Sequence, residues 1–343
     1  MQKDVEVNLL KAGEAAKNAL ENVLEAVAGE SILIVCDDER VEVGKAFANG
    51  SLALGLWTRI IVLQTAKKPR TEIPKHLLEA FTQQKPNLYI NLMRDIREET
   101  PFRIKIVRME TRDRKSRLGH CPGVTFDMLT EGALALTPQE HKKMQSHAKK
   151  LIQVLNGAVE VEIRNPAGTQ LTLSTEKREF FTDTKLDWKS MKWMNLPTGE
   201  VIVAPVENSL NGRLVCDMAI GGIGKVKTPV QVVAKNGKVE NLISQDNNIL
   251  RKVKETFETD DWSDIVGEFA FGINPKARFV NDFLEAEKIL GTIHVAFGEN
   301  TDMPGGKNPS ENHIDWLVSK PTVKVKKEDE QVIVVLEDGN FKI

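Results

Sequence analysis

Ile32-Leu33-Ile34-Val35-Cys36 is a five-residue run without a charged or amide side chain. Strand side chains alternate between faces, so this run has no wet face to present. It fits a parallel sheet covered by helices on both sides. The neighbouring segments agree. Leu9 to Val27 is rich in alanine and leucine at helical spacing and is closed by Gly29. Val41 to Leu54 reads as a helix, Ile60-Ile61-Val62-Leu63 as the next strand, Lys75 to Thr82 as a helix, and Leu88-Tyr89-Ile90-Asn91-Leu92 as a third strand. Phe102 to Met109 has no decisive period, and helices are expected over Phe126 to Leu136 and Pro138 to Leu155. The repeated strand–helix order predicts an α/β unit with a doubly wound parallel sheet.

After Asn156-Gly157 the pattern changes. Val159 to Ile163, Gln170 to Leu173, Val201 to Ala204 and Arg213 to Ile220 are short alternating segments. Val230 to Ala234 and Val239 to Ile243 flank Asn236-Gly237, a pair suited to the positive φ angles of a tight hairpin. Val323 to Lys326 and Val332 to Leu336 follow the same pattern, with Asp338-Gly339 as another turn. The second part is therefore expected to be α+β: mostly antiparallel sheet with few helices, one of them near Asn281 to Leu290. A length of 343 residues suits two domains, placed at residues 1–156 and 157–343.

An apolar share of 41% and a charged share of 28% belong to a soluble globular protein. A net charge of −2 exerts no general pull on nucleic acid or an anionic membrane, so neither partner is expected. Cys36, Cys121 and Cys216 are odd in number and far apart, which points to neither a disulfide framework nor a thiolate zinc site. Lys3, Asp4 and Glu6 do not fit a signal peptide. The longest uncharged apolar stretch, Ala46 to Thr58, falls short of the roughly 20 residues that cross a bilayer. The expected compartment is the cytoplasm.

Chemistry concentrates in the second part. Glu268 lies in Gly267-Glu268-Phe269-Ala270-Phe271-Gly272, His294 lies in the stretch from Gly291 to Gly298, and His313-Ile314-Asp315 follows. In a strand His313 and Asp315 share one face while Ile314 points to the core. Imidazoles and carboxylates gathered from these segments make a donor set for a transition metal. Taken singly, His294 would be an ordinary strand histidine and His-x-Asp a solvated strand pair.

With Leu196-Pro197-Thr198-Gly199-Glu200-Val201-Ile202-Val203-Ala204-Pro205 added, these segments resemble the aminopeptidase T family of metallopeptidases. The resemblance implies that Glu200, Glu268, His294, His313 and Asp315 bind two divalent ions, zinc or cobalt. It also implies a homodimer that removes N-terminal residues from peptides. Glu268 or Asp315 would bridge the ions, and Glu200 would complete the set or accept a proton from water, which makes Glu200 and Glu268 the catalytic candidates. The family carries a tyrosine near position 301, where this chain has Thr301, and the stretch from Gly298 to Asn312 is shorter than in the peptidases. Both departures fall at the site itself and bear on the substrate and the reaction, and Thr301 in place of the tyrosine implies low or altered peptidase turnover. Glu299 and Asp302 flank that position as candidates for a ligand or for binding a substrate amine. A related branch, the 2,5-dihydroxypyridine dioxygenases, holds one Fe(II) with two histidines and an aspartate, a set that His294, His313 and Asp315 also supply; its substrate is a small aromatic molecule. The presence of both Glu200 and Glu268 favours the peptidase. A metal-binding homologue without turnover is the third reading.

Other motifs read as structure. His141 and His147 lie among Lys142, Lys143, Lys149 and Lys150 and are expected on a solvated helix surface. His120-Cys121-Pro122-Gly123 reads as a turn, with a reactive thiol as the alternative. Gly221-Gly222-Ile223-Gly224-Lys225 lacks the spacing and hydroxyl of a phosphate loop and reads as a β-turn. Pro304-Gly305-Gly306-Lys307-Asn308 is expected to form a flexible rim of the site. Asp37-Asp38-Glu39 is expected to be an acidic loop that caps the next helix, with a ligand position at the end of the first strand as the alternative.

Overall fold

A computed structural model of the chain describes residues 2–65, 67–83, 85–112, 115–187 and 193–343. It divides into two compact units. One comprises Met1–Gln145, Asp183–Thr198 and Lys276–Arg278; the other comprises Ser146–Thr182, Gly199–Pro275 and Phe279–Ile343.

Helices and strands alternate through the first unit: α1 (Gln2–Asn22), β1 (Ser31–Asp37), α2 (Val41–Ala53), β2 (Trp57–Leu63), α3 (Lys75–Gln83), β3 (Leu88–Leu92), α4 (Thr100–Thr111), β4 (Arg117–His120) and α5 (Phe126–Thr130). The next elements are α6 (Pro138–Leu155), β5 (Ala158–Arg164), β6 (Gln170–Ser174), β7 (Phe181–Thr182) and β8 (Trp193–Asn195), the last of which returns to the first sheet. That sheet has the order β2-β1-β3-β4-β8, and its pairs are parallel. Ile32 to Cys36 are at most 3% exposed, as an all-apolar central strand requires.

Several expectations are corrected in this unit. Phe102 to Met109 is part of α4, started by a proline in its first turn. The helix expected to reach Leu136 stops at Thr130, because Gly132 N–H bonds back to Asp127 O and Ala135 N–H to Gly132 O, closing turns. Neither Asp37 nor Asp38 caps a helix. Asp37 is fully buried and accepts hydrogen bonds from the Arg70 guanidinium and from Arg94 N–H (2.7 Å), while Asp38 binds Thr65. His120 ends a buried strand, and burial pushes the Cys121 thiol well above its usual range, which removes the reactive-thiol alternative. His141 is only 2% exposed. It heads the buried stripe Met144, Ala148, Leu151 and Leu155 of α6, while the four lysines lie on the solvent face with Gln139, Ser146 and Gln153. His147 packs edge-on against Phe341, with ring centroids 4.6 Å apart.

The second unit continues with β9 (Glu200–Val203), β10 (Asn211–Cys216), β11 (Ala219–Ile220), β12 (Gly224–Lys225), β13 (Val230–Lys235), β14 (Lys238–Ile243), α7 (Asn247–Phe257), β15 (Val266–Gly272), α8 (Phe283–Ala286), β16 (Ile293–Gly298), β17 (His313–Val318), β18 (Thr322–Lys327), β19 (Val332–Glu337) and β20 (Asn340–Phe341). It forms two antiparallel sheets, ordered β14-β13-β10-β6-β5-β18-β19-β20 and β12-β11-β17-β16-β15-β9-β7. The β13–β14 hairpin turns through Asn236 (φ 49°) and Gly237 (φ 81°), as the Asn-Gly pair predicted. The glycine-rich stretch after Ile220 is the turn of the β11–β12 hairpin. The helix expected from Asn281 to Leu290 shortens to α8, because Lys288 N–H and Ile289 N–H bond three residues back, to Glu285 O and Ala286 O. Among the described residues no helix is long and apolar enough to cross a membrane.

Candidate metal centre

One face of the second sheet is apolar. Phe269, Phe271, Val295, Phe297, Ile314 and Trp316 are at most 2% exposed, and Phe257 of α7 stacks on Trp316 with ring centroids 6.1 Å apart. The strand register puts polar side chains on the other face. Cross-strand partners project the same way, as do alternate residues along a strand. Glu268 opposes Ala296, which opposes Asp315; His294 opposes Ala270; Gly298 opposes His313; Gly272 opposes Glu200. Glu200, Glu268, His294, His313 and Asp315 therefore share one face. On β15 and β16 the intervening positions there are Ala270, Gly272, Ala296 and Gly298; a Cβ at Gly272 would lie 2.2 Å from Ile289 O and one at Gly298 2.0 Å from Asn312 O, so backbone crowding restricts those two to glycine.

A β-bulge aims Glu268. Val266 pairs with Phe297 on the apolar face, whereas Glu268, two residues on, pairs with Ala296 on the polar face. The extra residue, Gly267, reverses the alternation. A Cβ at Gly267 would lie 2.4 Å from Gly298 O, so the close strand crossing admits only glycine. Gly199 plays a similar part before Glu200: its φ is +139°, and a Cβ there would lie 2.5 Å from Asn274 Cβ.

The five side chains converge. His294 Nε2 lies 3.1 Å from Glu268 Oε1, 3.5 Å from Glu200 Oε1 and 3.9 Å from Asp315 Oδ1. His313 Nε2 lies 3.2 Å from both Glu268 Oε2 and Asp315 Oδ1. One donor atom each from Glu268, His313 and Asp315 falls within 4.8 Å of the others, a cluster able to hold an ion. His313 Nδ1 is 2.8 Å from Glu299 O. A carbonyl can only accept, so Nδ1 carries the proton and Nε2 presents its lone pair to the cluster when the ring is neutral. Glu200 (3%), Glu268 (5%) and His294 (1%) are buried, while the His313 side chain is 31% exposed, so the cluster opens to solvent at His313.

Charge in the cluster is unbalanced toward the negative. Burial by itself would raise the Glu268 carboxyl, but hydrogen bonds from His294 and His313 hold it well below the carboxylate range. Burial works to lower both imidazoles, yet Glu268 lifts His294 and Asp315 lifts His313 above the usual histidine value. The rings thus take up protons to offset the carboxylates. A donor set that demands positive charge in this way fits a divalent cation.

Lys288 and Glu287 were not legible as site residues, because an adjacent Glu-Lys pair usually lies in solvent. Here Lys288 is 2% exposed; its ammonium bonds Glu200 Oε2 and sits 2.8 Å from Glu287 Oε1. Burial pushes the Glu287 carboxyl up to about 8, against the opposing pull of Lys288. Thr301 is exposed, and its N–H and hydroxyl both donate to Glu299 Oε1 of its own loop; Asp302 is exposed as well. The loop expected to be a flexible rim is anchored at its base: Asn308 Nδ2 donates to Gly298 O (2.7 Å) and Asn300 Nδ2 to Gly267 O (3.1 Å).

The solved structure of wild-type AmpT from Thermus thermophilus is similar over 97% of this chain and 99% of its own, with 16% identity and a TM-score of 0.70. A 2,5-dihydroxypyridine dioxygenase from Pseudomonas putida KT2440 is similar over 96% of each chain, with 15% identity and a TM-score of 0.67. At such identities these two share the fold. A search of curated proteins returns no sequence match. The sequence model of thermophilic metalloproteases (M29) matches residues 137–341, which include β9, β15, β16 and β17 with all five converging side chains. With that match over more than half its length, the chain belongs to the M29 family of metal-dependent hydrolases.

Proposed function

We propose that this protein is an aminopeptidase that removes N-terminal residues from peptides. Glu268, His294, His313, Asp315 and Glu200 would hold divalent metal, zinc or cobalt by their nitrogen and carboxylate donors. The observation that carries this reading is the convergence of carboxylates and imidazoles on one small-residue face, closed at Glu200 and open at His313. A bound divalent ion supplies Lewis acidity toward the scissile carbonyl. The chain's own groups do the remainder. Glu268, beside His294 at 3.1 Å, would take the proton of the attacking water, with Glu200 at the buried end as the alternative. The half-buried Glu299 and the exposed Asp302 lie on the loop that follows β16 and would offer negative charge for a peptide's terminal ammonium. Five donors suffice for two cations, provided that Glu200 is released from Lys288.

A second reading is a single-iron ring-cleaving dioxygenase, favoured by the subset His294, His313 and Asp315 and by the similarity of fold. The test is to assay metal-loaded protein on aminoacyl amides and tripeptides, and Fe(II)-loaded protein on 2,5-dihydroxypyridine with an oxygen electrode. Release of free amino acid that is lost on chelation and restored by zinc or cobalt supports the peptidase. Oxygen uptake without peptide cleavage supports the dioxygenase. Metal binding without either activity leaves a non-catalytic homologue.

A further inference from the structure

Glu200 stands between two positive neighbours of different kinds. Its Oε1 faces His294 Nε2 at 3.5 Å, inside the cluster, while its Oε2 accepts from the Lys288 ammonium behind it. Lys288 is held there by its backbone as well as by charge. It follows the short helix α8; its N–H bonds Glu285 O at 3.2 Å and its carbonyl accepts from Asn274 N–H at 2.9 Å, just beyond β15. Glu287 also contacts the same ammonium, at 2.8 Å. With 2% of its side chain exposed, Lys288 has no solvent to turn into. A divalent ion placed on Glu200 would face a fixed ammonium across one carboxylate in a dry site, where like charges repel with little screening. The other four donors gather on one another: Glu268, His313 and Asp315 bring one atom each within 4.8 Å of one another, and His294 adjoins Glu268 at 3.1 Å.

We propose that Lys288 is the resident cation at the Glu200 end of the centre, so that the protein takes one divalent ion instead of two. The ion is held by Glu268, His294, His313 and Asp315, and Glu200 is a positioning residue that holds the lysine at that end of the centre. This rests on the metal-centre reading above and narrows it.

The test is a metal count on the full chain, stripped with chelator and titrated with Zn²⁺ and, separately, with Co²⁺. Bound metal is read by elemental analysis after dialysis and by calorimetry, with the Co²⁺ visible spectrum as a second readout. One ion per chain is expected for the wild type. Lys288→Met, which keeps the length of the side chain and removes its charge, is expected to take a second ion; Lys288→Arg is expected to stay at one. Circular dichroism checks that each variant is folded. Two ions of comparable affinity in the wild type overturn the proposal, whatever the variants do, and so does a folded Lys288→Met that still binds one. A folded wild type that binds none defeats the metal-centre reading itself.

Discussion

Asp315 shows how one residue couples charge to geometry. Its Oδ1 lies 3.2 Å from His313 Nε2 and 3.9 Å from His294 Nε2, so it faces both imidazoles, and the ordinary alternation of β17 turns Ile314 into the core. Asp315→Asn keeps the shape of the side chain and removes its charge. We expect the metal affinity to fall by about 10- to 100-fold or more, the scale on which supporting groups around metal sites already act. Calorimetric titration of the stripped variant checks this, and an unchanged affinity would place Asp315 outside the donor set. The His-x-Asp pair was legible because strand alternation is a local rule. The partnership of Glu200 with Lys288 was not, since residues 88 apart in sequence meet only through folding.

At the scale of the element, β15 decides where a carboxylate points. Gly267 is the bulged residue between Val266, on the apolar face, and Glu268, on the polar one. Gly267→Ala would drive a methyl to 2.4 Å from Gly298 O and push β15 away from the end of β16. Because misplacing a reacting group by about an ångström can cost 10²-fold, kcat/KM is expected to drop by roughly that factor while circular dichroism stays native. Full activity in the variant would show that the bulge does not aim Glu268. Sequence patterns located most strands in this half, and the Asn236-Gly237 turn came through to its dihedral angles. A bulge, by contrast, leaves no mark in an alternation pattern until its partner strand is known. The same limit explains α6: its lysines signalled a wet surface, but the stripe from His141 through Leu155 is set by what buries it.

Over the whole molecule, buried titratable groups make stability depend on pH. Burial would raise the Glu99 carboxyl, but hydrogen bonds from Arg94 and Arg70 overcome it and hold the group down to about 2. Burial, helped by the nearby Arg103 charge, lowers His120 to about 3, and burial lowers His141 to about 4. The signs agree. A depressed carboxyl contributes stability above its unfolded value that is lost as pH falls toward the folded value. A histidine kept neutral by the fold is opposed, once pH drops below its ordinary 6.5, by an unfolded chain that binds the proton. Tm is therefore expected to fall below about pH 4.5, where Glu287, raised to about 8 in the fold, is protonated in folded and unfolded chains alike and no longer offsets these groups; His141→Leu should remove part of the loss between about pH 6.5 and 4. Thermal melts across this range check it, and a Tm indifferent to pH would contradict the burial of these groups.

The sequence by itself determined the two textures of the chain, parallel α/β first and antiparallel β after. It also picked out the residues of metal-binding type, because hydrophobic period, turn chemistry and donor identity are local properties. Only the tertiary structure decided which of those residues share a face, how the bulge at Gly267 turns Glu268 inward, and that a buried lysine reaches Glu200 from behind. Register and burial arise between strands distant in sequence, and no single segment carries them.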